Sequence, residues 1–98
     1  MFVSVLLLEF QPGLIKKALP VVRQYLLLAQ KAHGCEKAFL AVNPDDADNV
    51  LLLAEWKTRE DYEVFYKSVY SNPKNMATGM QLLNDLAVEP FLRLYEVL

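Results

Sequence analysis

The chain has 98 residues, with ten basic and twelve acidic side chains and a formal net charge of -2. That length gives room for one core of ordinary size, and the even scatter of charge excludes a nucleic-acid footprint. One cysteine excludes an intrachain disulfide and fits a reducing compartment.

Hydrophobic residues make up 54% of the chain when Tyr is counted and Gly is not. Exchanging the two brings the figure to roughly 52%, slightly above the ~45–50% of ordinary globular domains. This surplus implies apolar surface beyond what one small domain covers. The N-terminal run MFVSVLLLEF has no basic segment or small-residue cleavage site, so it does not read as a signal peptide. No apolar run approaches the ~20 residues that span a bilayer. A cytoplasmic protein with no membrane partner is the expectation.

In chain order, Phe2 to Phe10 reads as a strand that ends at the turn signal Gln11-Pro12-Gly13. Phe2, Leu6, Leu8 and Phe10 alternate with Val3, Val5 and Leu7, so both faces are apolar. Leu14 to Ala32 has helical periodicity through Leu14, Ala18, Val22, Leu26 and Ala29. Pro20 falls inside this pattern and predicts a kink or a restart. Gly34 suits a left-handed cap after His33. Cys35–Val42 and Asn49–Trp56 read as two strands joined through Asn43-Pro44-Asp45-Asp46, an antiparallel hairpin.

Thr58 is placed to cap a second helix, with Glu60 and Asp61 at its positive end. Asn72-Pro73 ends that helix and opens a third with a stripe of Met76, Met80 and Leu83. Val88 to Leu98 alternates as a last strand, with Phe91, Arg93, Tyr95 and Val97 on one face. The order β-α-β-β-α(α)-β predicts an α+β, ferredoxin-like fold with a four-stranded antiparallel sheet, forming one domain over residues 1–98. Helices cover only one face of such a sheet, yet the strands are apolar on both. A second copy packed sheet to sheet, a homodimer, is the simplest cover.

Pro12-Gly13 after the first strand, Gly34-Cys35 opening the second, and Glu55-Trp56-Lys57-Thr58-Arg59-Glu60-Asp61-Tyr62 together resemble the antibiotic biosynthesis monooxygenase family. The resemblance implies a dimeric α+β barrel. It also implies one of several activities found among characterised members: cofactor-independent oxygenation of aromatic polyketide-like substrates, haem degradation or quinol oxygenation. In oxygenases of this type a tryptophan ending the third strand and a tyrosine in the next helix line a pocket between sheet and helices. Trp56 and Tyr62 match those places, and there an electron-rich substrate would react with dioxygen directly.

The residues themselves leave two readings for each position. Trp56 is either a ligand contact or a plug between sheet edge and helix. Tyr62, Tyr66 and Tyr70 stand in a row at i, i+4 spacing, half-exposed at the helix edge or lining a pocket, while Phe65 and Val69 serve the core. Met76 and Met80 are core filler or an adaptable pocket wall. Arg93 anchors an acidic substrate or pairs with a glutamate across the dimer. Cys35 is expected to be a buried, inert thiol. The family's haem degraders carry an iron-ligating histidine near Tyr66 and an asparagine on the first strand. This chain has neither, and its one histidine, His33, stands elsewhere.

No metal site and no cofactor are therefore expected. The leading expectation is a cofactor-independent monooxygenase acting on a small aromatic or quinol-like compound. Trp56, Tyr62 and Tyr66 would be its catalytic residues, and Tyr70, Met76, Met80 and Arg93 would bind substrate. The alternative is a non-catalytic barrel that binds a small ligand or a partner.

Overall fold

The first strand, β1 (Phe2–Phe10), lies inside the sheet, because both of its edges are paired. The computed structural model describes residues 1–71 and 87–98. Within these, α1 (Ile15–Lys31), β2 (Cys35–Asn43), β3 (Asp46–Trp56), α2 (Arg59–Ser71) and β4 (Ala87–Glu96) follow β1 in chain order. The four strands form one antiparallel sheet in the order β2-β3-β1-β4. This is the ferredoxin-like arrangement that the alternation predicts. The expected third helix, with Met76 and Met80, lies outside the described residues.

Alternation decides which side chains meet the helices. Phe2, Ser4, Leu8 and Phe10 of β1 and Val50, Leu52, Ala54 and Trp56 of β3 are all buried. Ala18, Val21, Val22 and Ala29 of α1 and Tyr62, Phe65 and Val69 of α2 close over them in one core. A fully buried Leu or Val contributes about 1.5–3 kcal/mol. Leu8, Val22, Val50 and Val69 therefore carry much of the stability of so small a domain.

Two features refine the sequence expectation. Helix α1 continues through Pro20 without a restart. Proline removes one backbone donor, but Pro20 is exposed, so water can serve the carbonyl it leaves unpaired. The β2–β3 hairpin is also tighter than expected. Asn43 pairs with Asp46 across a two-residue turn of Pro44 and Asp45, so β3 starts three residues early. The Asn43 carboxamide oxygen accepts the Asp45 amide at 2.9 Å and holds the turn.

The start of α2 matches its expected chemistry. The Thr58 hydroxyl accepts the Asp61 amide at 3.1 Å, satisfying one of the free donors of the first turn. Thr58→Ala should cost about 1 kcal/mol, read as a lower midpoint of urea unfolding with an unchanged slope.

Candidate functional site

Among the described residues, four of the five buried aromatic side chains, Phe2, Trp56, Tyr62 and Phe65, gather at the corner where β3 meets α2. Trp56 ends β3 facing the helices and is 0% exposed. Its indole Nε1 donates to the Ser4 hydroxyl on β1 at 3.0 Å, a buried bond between side chains 52 residues apart. The Phe65 ring lies 5.1 Å from the indole and the Tyr62 ring stands edge-on to it at 5.8 Å. Tyr62 also packs on Phe2 at 5.5 Å and on Tyr66 at 6.0 Å. A chain of rings thus runs outward, from Trp56 through Tyr62 to Tyr66.

Exposure along that chain is graded. Tyr62 is 4% exposed, whereas Tyr66 is 38% exposed. The row, expected to be half-exposed at the helix edge or to line a pocket, is therefore split between its first two members. Tyr62 turns inward because Phe2 and Trp56 form a seat beneath it. Tyr66, one turn later, is carried beyond the edge of that seat. Tyr70 follows on the same helix, and Met76 and Met80 lie outside the described residues.

Two spaces adjoin these rings. Behind Trp56, between sheet and helices, is a crevice of about 10 Å³, room for one water-sized molecule and too little for an aromatic ring. Its walls include Ser4, Leu6, Leu26, Ala29, Phe65 and Leu92. In front, an open groove of about 370 Å³ is lined by Tyr62, Glu63, Tyr66, Lys67, Leu92 and Leu94. Leu92 forms part of both walls.

Arg93 is separate from this corner. It pairs in register with Val5, so it lies with Val5, Leu7 and Leu51 on the sheet face away from the helices. There its guanidinium sits 5.0 Å from the centre of the Phe91 ring and donates to the Leu92 carbonyl at 3.1 Å. Strand alternation makes Leu92 and Leu94, not Arg93, the β4 neighbours of the tyrosines.

Cys35 Sγ meets the Lys37 carbonyl at 3.6 Å, and burial pushes its thiol up from the ordinary value. At neutral pH the thiol is protonated and a poor nucleophile. His33 is almost wholly exposed, 3.9 Å from the Asp61 carboxylate across the surface. Among the described residues no group of three or more His, Cys, Asp or Glu is placed to hold a metal ion. Nor is any described helix long and apolar enough to cross a membrane.

Ser4 is the site residue that the sequence reading passed over. Alternation with Phe2 and Leu6 could have found it, since that spacing puts its hydroxyl on the inward face.

Solved structures with the same fold span nearly the whole chain. A Nitrosomonas europaea protein assigned as an antibiotic biosynthesis monooxygenase superposes with a TM-score of 0.84 at 17% identity, covering 100% of this chain and 99% of its own. Rv0793 from Mycobacterium tuberculosis gives 0.81 at 10% identity, covering 99% and 94%. A variant of SnoaB, a cofactor-independent oxygenase from Streptomyces nogalater, gives 0.79 at 12% identity, covering 98% and 91%. Identities this low establish a shared architecture only. No curated protein matches the sequence. The family model for antibiotic biosynthesis monooxygenase matches residues 1–71, from β1 through the aromatic corner to the end of α2. The chain belongs to the antibiotic biosynthesis monooxygenase family.

Proposed function

We propose that this protein is a cofactor-independent monooxygenase for a small, electron-rich aromatic or quinol-like compound, bound in the groove beside Tyr66. The observation that carries this reading is the groove itself. It offers about 370 Å³ bounded by two phenol rings and two leucines, within the range of small-molecule sites. The SnoaB chemistry supports the reaction class. Oxygenation of an activated methylene balances without a further reductant: CH2 and O2 give C=O and H2O. Four substrate electrons reduce the dioxygen, and one oxygen atom stays on carbon.

Tyr66 supplies the contact surface, and Leu92 and Leu94 face it across the groove. Tyr62 and Trp56 act from behind, fixing the ring against which the substrate rests. A phenol at this position can also donate to an oxyanion developing on the substrate. Tyr70, Met76 and Met80 remain candidates for further substrate contact. Arg93 belongs to the opposite face, where pairing with a second copy fits it better than holding substrate.

The single indole makes the test direct. Titration with an anthrone or a hydroquinone should quench Trp56 fluorescence through the ring chain. Tyr66→Ala should weaken binding by about three- to tenfold, the worth of one aromatic pair. Tyr66→Phe should keep the binding and slow oxygen uptake. Unchanged affinity in Tyr66→Ala would remove the groove from consideration.

The fully buried Trp56 favours a second reading, a ligand-binding barrel without turnover. Saturable quenching with no oxygen uptake would select it.

Pairing with a second copy is part of the same proposal. Val5, Leu7, Leu51, Phe91 and Tyr95 surround Arg93 on the helix-free face, and Phe39 of β2 extends it. An apolar area of this kind is a burial surface in waiting. Sedimentation at micromolar concentration should give a dimer for the native chain and a monomer for Val5→Glu. A native monomer would refute the pairing.

A further inference from the structure

The groove beside Tyr66 has an apolar side and a charged one. Leu92 and Leu94 of β4 supply the first, and Glu63 and Lys67 of α2 supply the second, together with the rings of Tyr62 and Tyr66. Glu63 and Lys67 are four residues apart, a spacing at which opposite charges commonly pair on a helix. Here they do not. The Glu63 carboxylate instead accepts from Arg59 Nε at 3.1 Å, one turn earlier. Arg59 also lies over the Phe2 ring, its guanidinium 5.8 Å from the centre.

The charge of Glu63 is thereby answered by Arg59, and Lys67 makes no ion pair among the described residues. No other described charged residue lines the groove. Glu96 stands on the same face of β4 as Leu92 and Leu94, but it pairs in register with Phe2 and so belongs to the Arg59 end. The groove therefore carries one uncompensated positive charge beside a surface that suits an aromatic ring.

We propose that the groove takes its aromatic ligand as an oxyanion, a phenolate or enolate, and that Lys67 is the residue that selects this form. This deepens the oxygenase reading and rests on it for the use made of the anion, though not for the binding itself. A nearby cation favours the ionised form of a phenol and lowers its pKa. The O–H bond of a hydroquinone, or a methylene C–H bond of an anthrone, breaks, and the proton leaves to water in the open groove. The electron pair stays on the molecule, with most of the charge on oxygen. Lys67 takes no proton in this step. Such an anion gives an electron to dioxygen more readily than its conjugate acid, so stabilising it raises the fraction of substrate that can react.

2-Hydroxyanthraquinone tests the preference without turnover. It has the fused-ring outline of an anthrone, no methylene left to oxidise, and a visible absorption that changes when the phenol ionises. Its ionisation is to be titrated spectrophotometrically, free and with saturating protein. Lys67 faces water, so the gain is the upper end of what an exposed ion pair gives, about three- to fivefold tighter binding of the anion. By linkage the pKa of the bound phenol should fall by about 0.5–0.7 pH unit.

Lys67→Met should abolish the fall and leave the affinity for the neutral phenol in place, and Lys67→Arg should retain it. Lys17→Met on α1 makes the same change in net charge outside the groove and should alter nothing. Both lysines are exposed, so these variants keep the fold. Arg59→Gln frees Glu63 to pair with Lys67 and should remove part of the fall. A bound phenol that ionises like the free one in the native protein would overturn the proposal. So would a fall that survives in Lys67→Met, or one lost equally in Lys17→Met. No binding of either form would overturn it together with the groove. The expected fall without oxygen uptake from any anthrone or hydroquinone would uphold the selection by Lys67 and refute the oxygenase reading alone.

Discussion

Replacing Trp56 by alanine is expected to leave the protein largely unfolded at physiological temperature. The side chain is fully buried at the junction of β1, β3 and α2, and loss of a core tryptophan costs about 3–5 kcal/mol. The same change leaves the buried Ser4 hydroxyl without its donor, a further ~1–3 kcal/mol if water does not replace it. A domain of this length has only about 5–15 kcal/mol in hand. The melting temperature should fall by roughly 12 °C or more.

Trp56→Phe separates the two contributions. It keeps most of the ring packing and discards the hydrogen bond, so Trp56→Phe combined with Ser4→Ala should be less damaging than the sum of the single changes. Calorimetry on the four proteins measures this coupling. A Trp56→Ala variant that melts within a few degrees of the native protein would show that the corner is not the keystone of the fold.

Gly34→Ala is the second large effect, and it has an internal control. Gly34 and Gly13 have nearly equal backbone angles, φ +81° and +83°. Alanine at either position carries the left-handed strain of about 1–2 kcal/mol. Their surroundings differ. A Cβ at Gly13 meets nothing within 4 Å, whereas one at Gly34 runs into the side chain of Asp61. Asp61 belongs to the first turn of α2, whose position is set by its cap. The Gly34 carbonyl also accepts the Lys57 amide at 2.8 Å, tying the start of β2 to the end of β3.

Gly34→Ala must therefore shift the helix that carries Tyr62 and Tyr66, adding about 1–3 kcal/mol of overpacking to the backbone strain. Urea unfolding should show Gly34→Ala to be more destabilising than Gly13→Ala by that difference. Asp61→Ala in the same chain should recover part of it, because the carboxylate is removed while the Cβ remains. Equal losses at the two glycines would mean that the helix gives way without cost.

Much of this corner was legible in the sequence. Thr58 with Asp61 three residues on is a capping signal of short range. The alternation of Val50, Leu52, Ala54 and Trp56 determines which face they take, because the strand period leaves no choice. Gly34 after a helical run marks the left-handed turn. These features depend on neighbours in sequence, and composition with periodicity suffices for them. Pro20 shows the limit, since its tolerance depends on an exposure that local pattern does not contain.

Tertiary structure alone decided what the aromatic residues face. The row Tyr62–Tyr66–Tyr70 is uniform as a helical pattern, yet Tyr62 is sealed under Phe2 from β1 while Tyr66 opens onto Leu92 and Leu94 from β4. Both neighbours come from strands remote in sequence, and their side depends on a sheet order that brings β1 between β3 and β4. Arg93 went to the helix-free face for the same reason: its register opposite Val5 is a property of strand pairing.

Ser4 is the sharpest case. As a residue it is one small polar side chain in an apolar strand, without a motif. Its meaning comes from Trp56, 52 positions away, whose N–H required a partner once it was buried. The sequence by itself determined the fold, the capped helix and the aromatic content of the corner. The tertiary structure decided which of those rings are closed off, which one meets solvent, and that the space between them divides into a crevice and a groove.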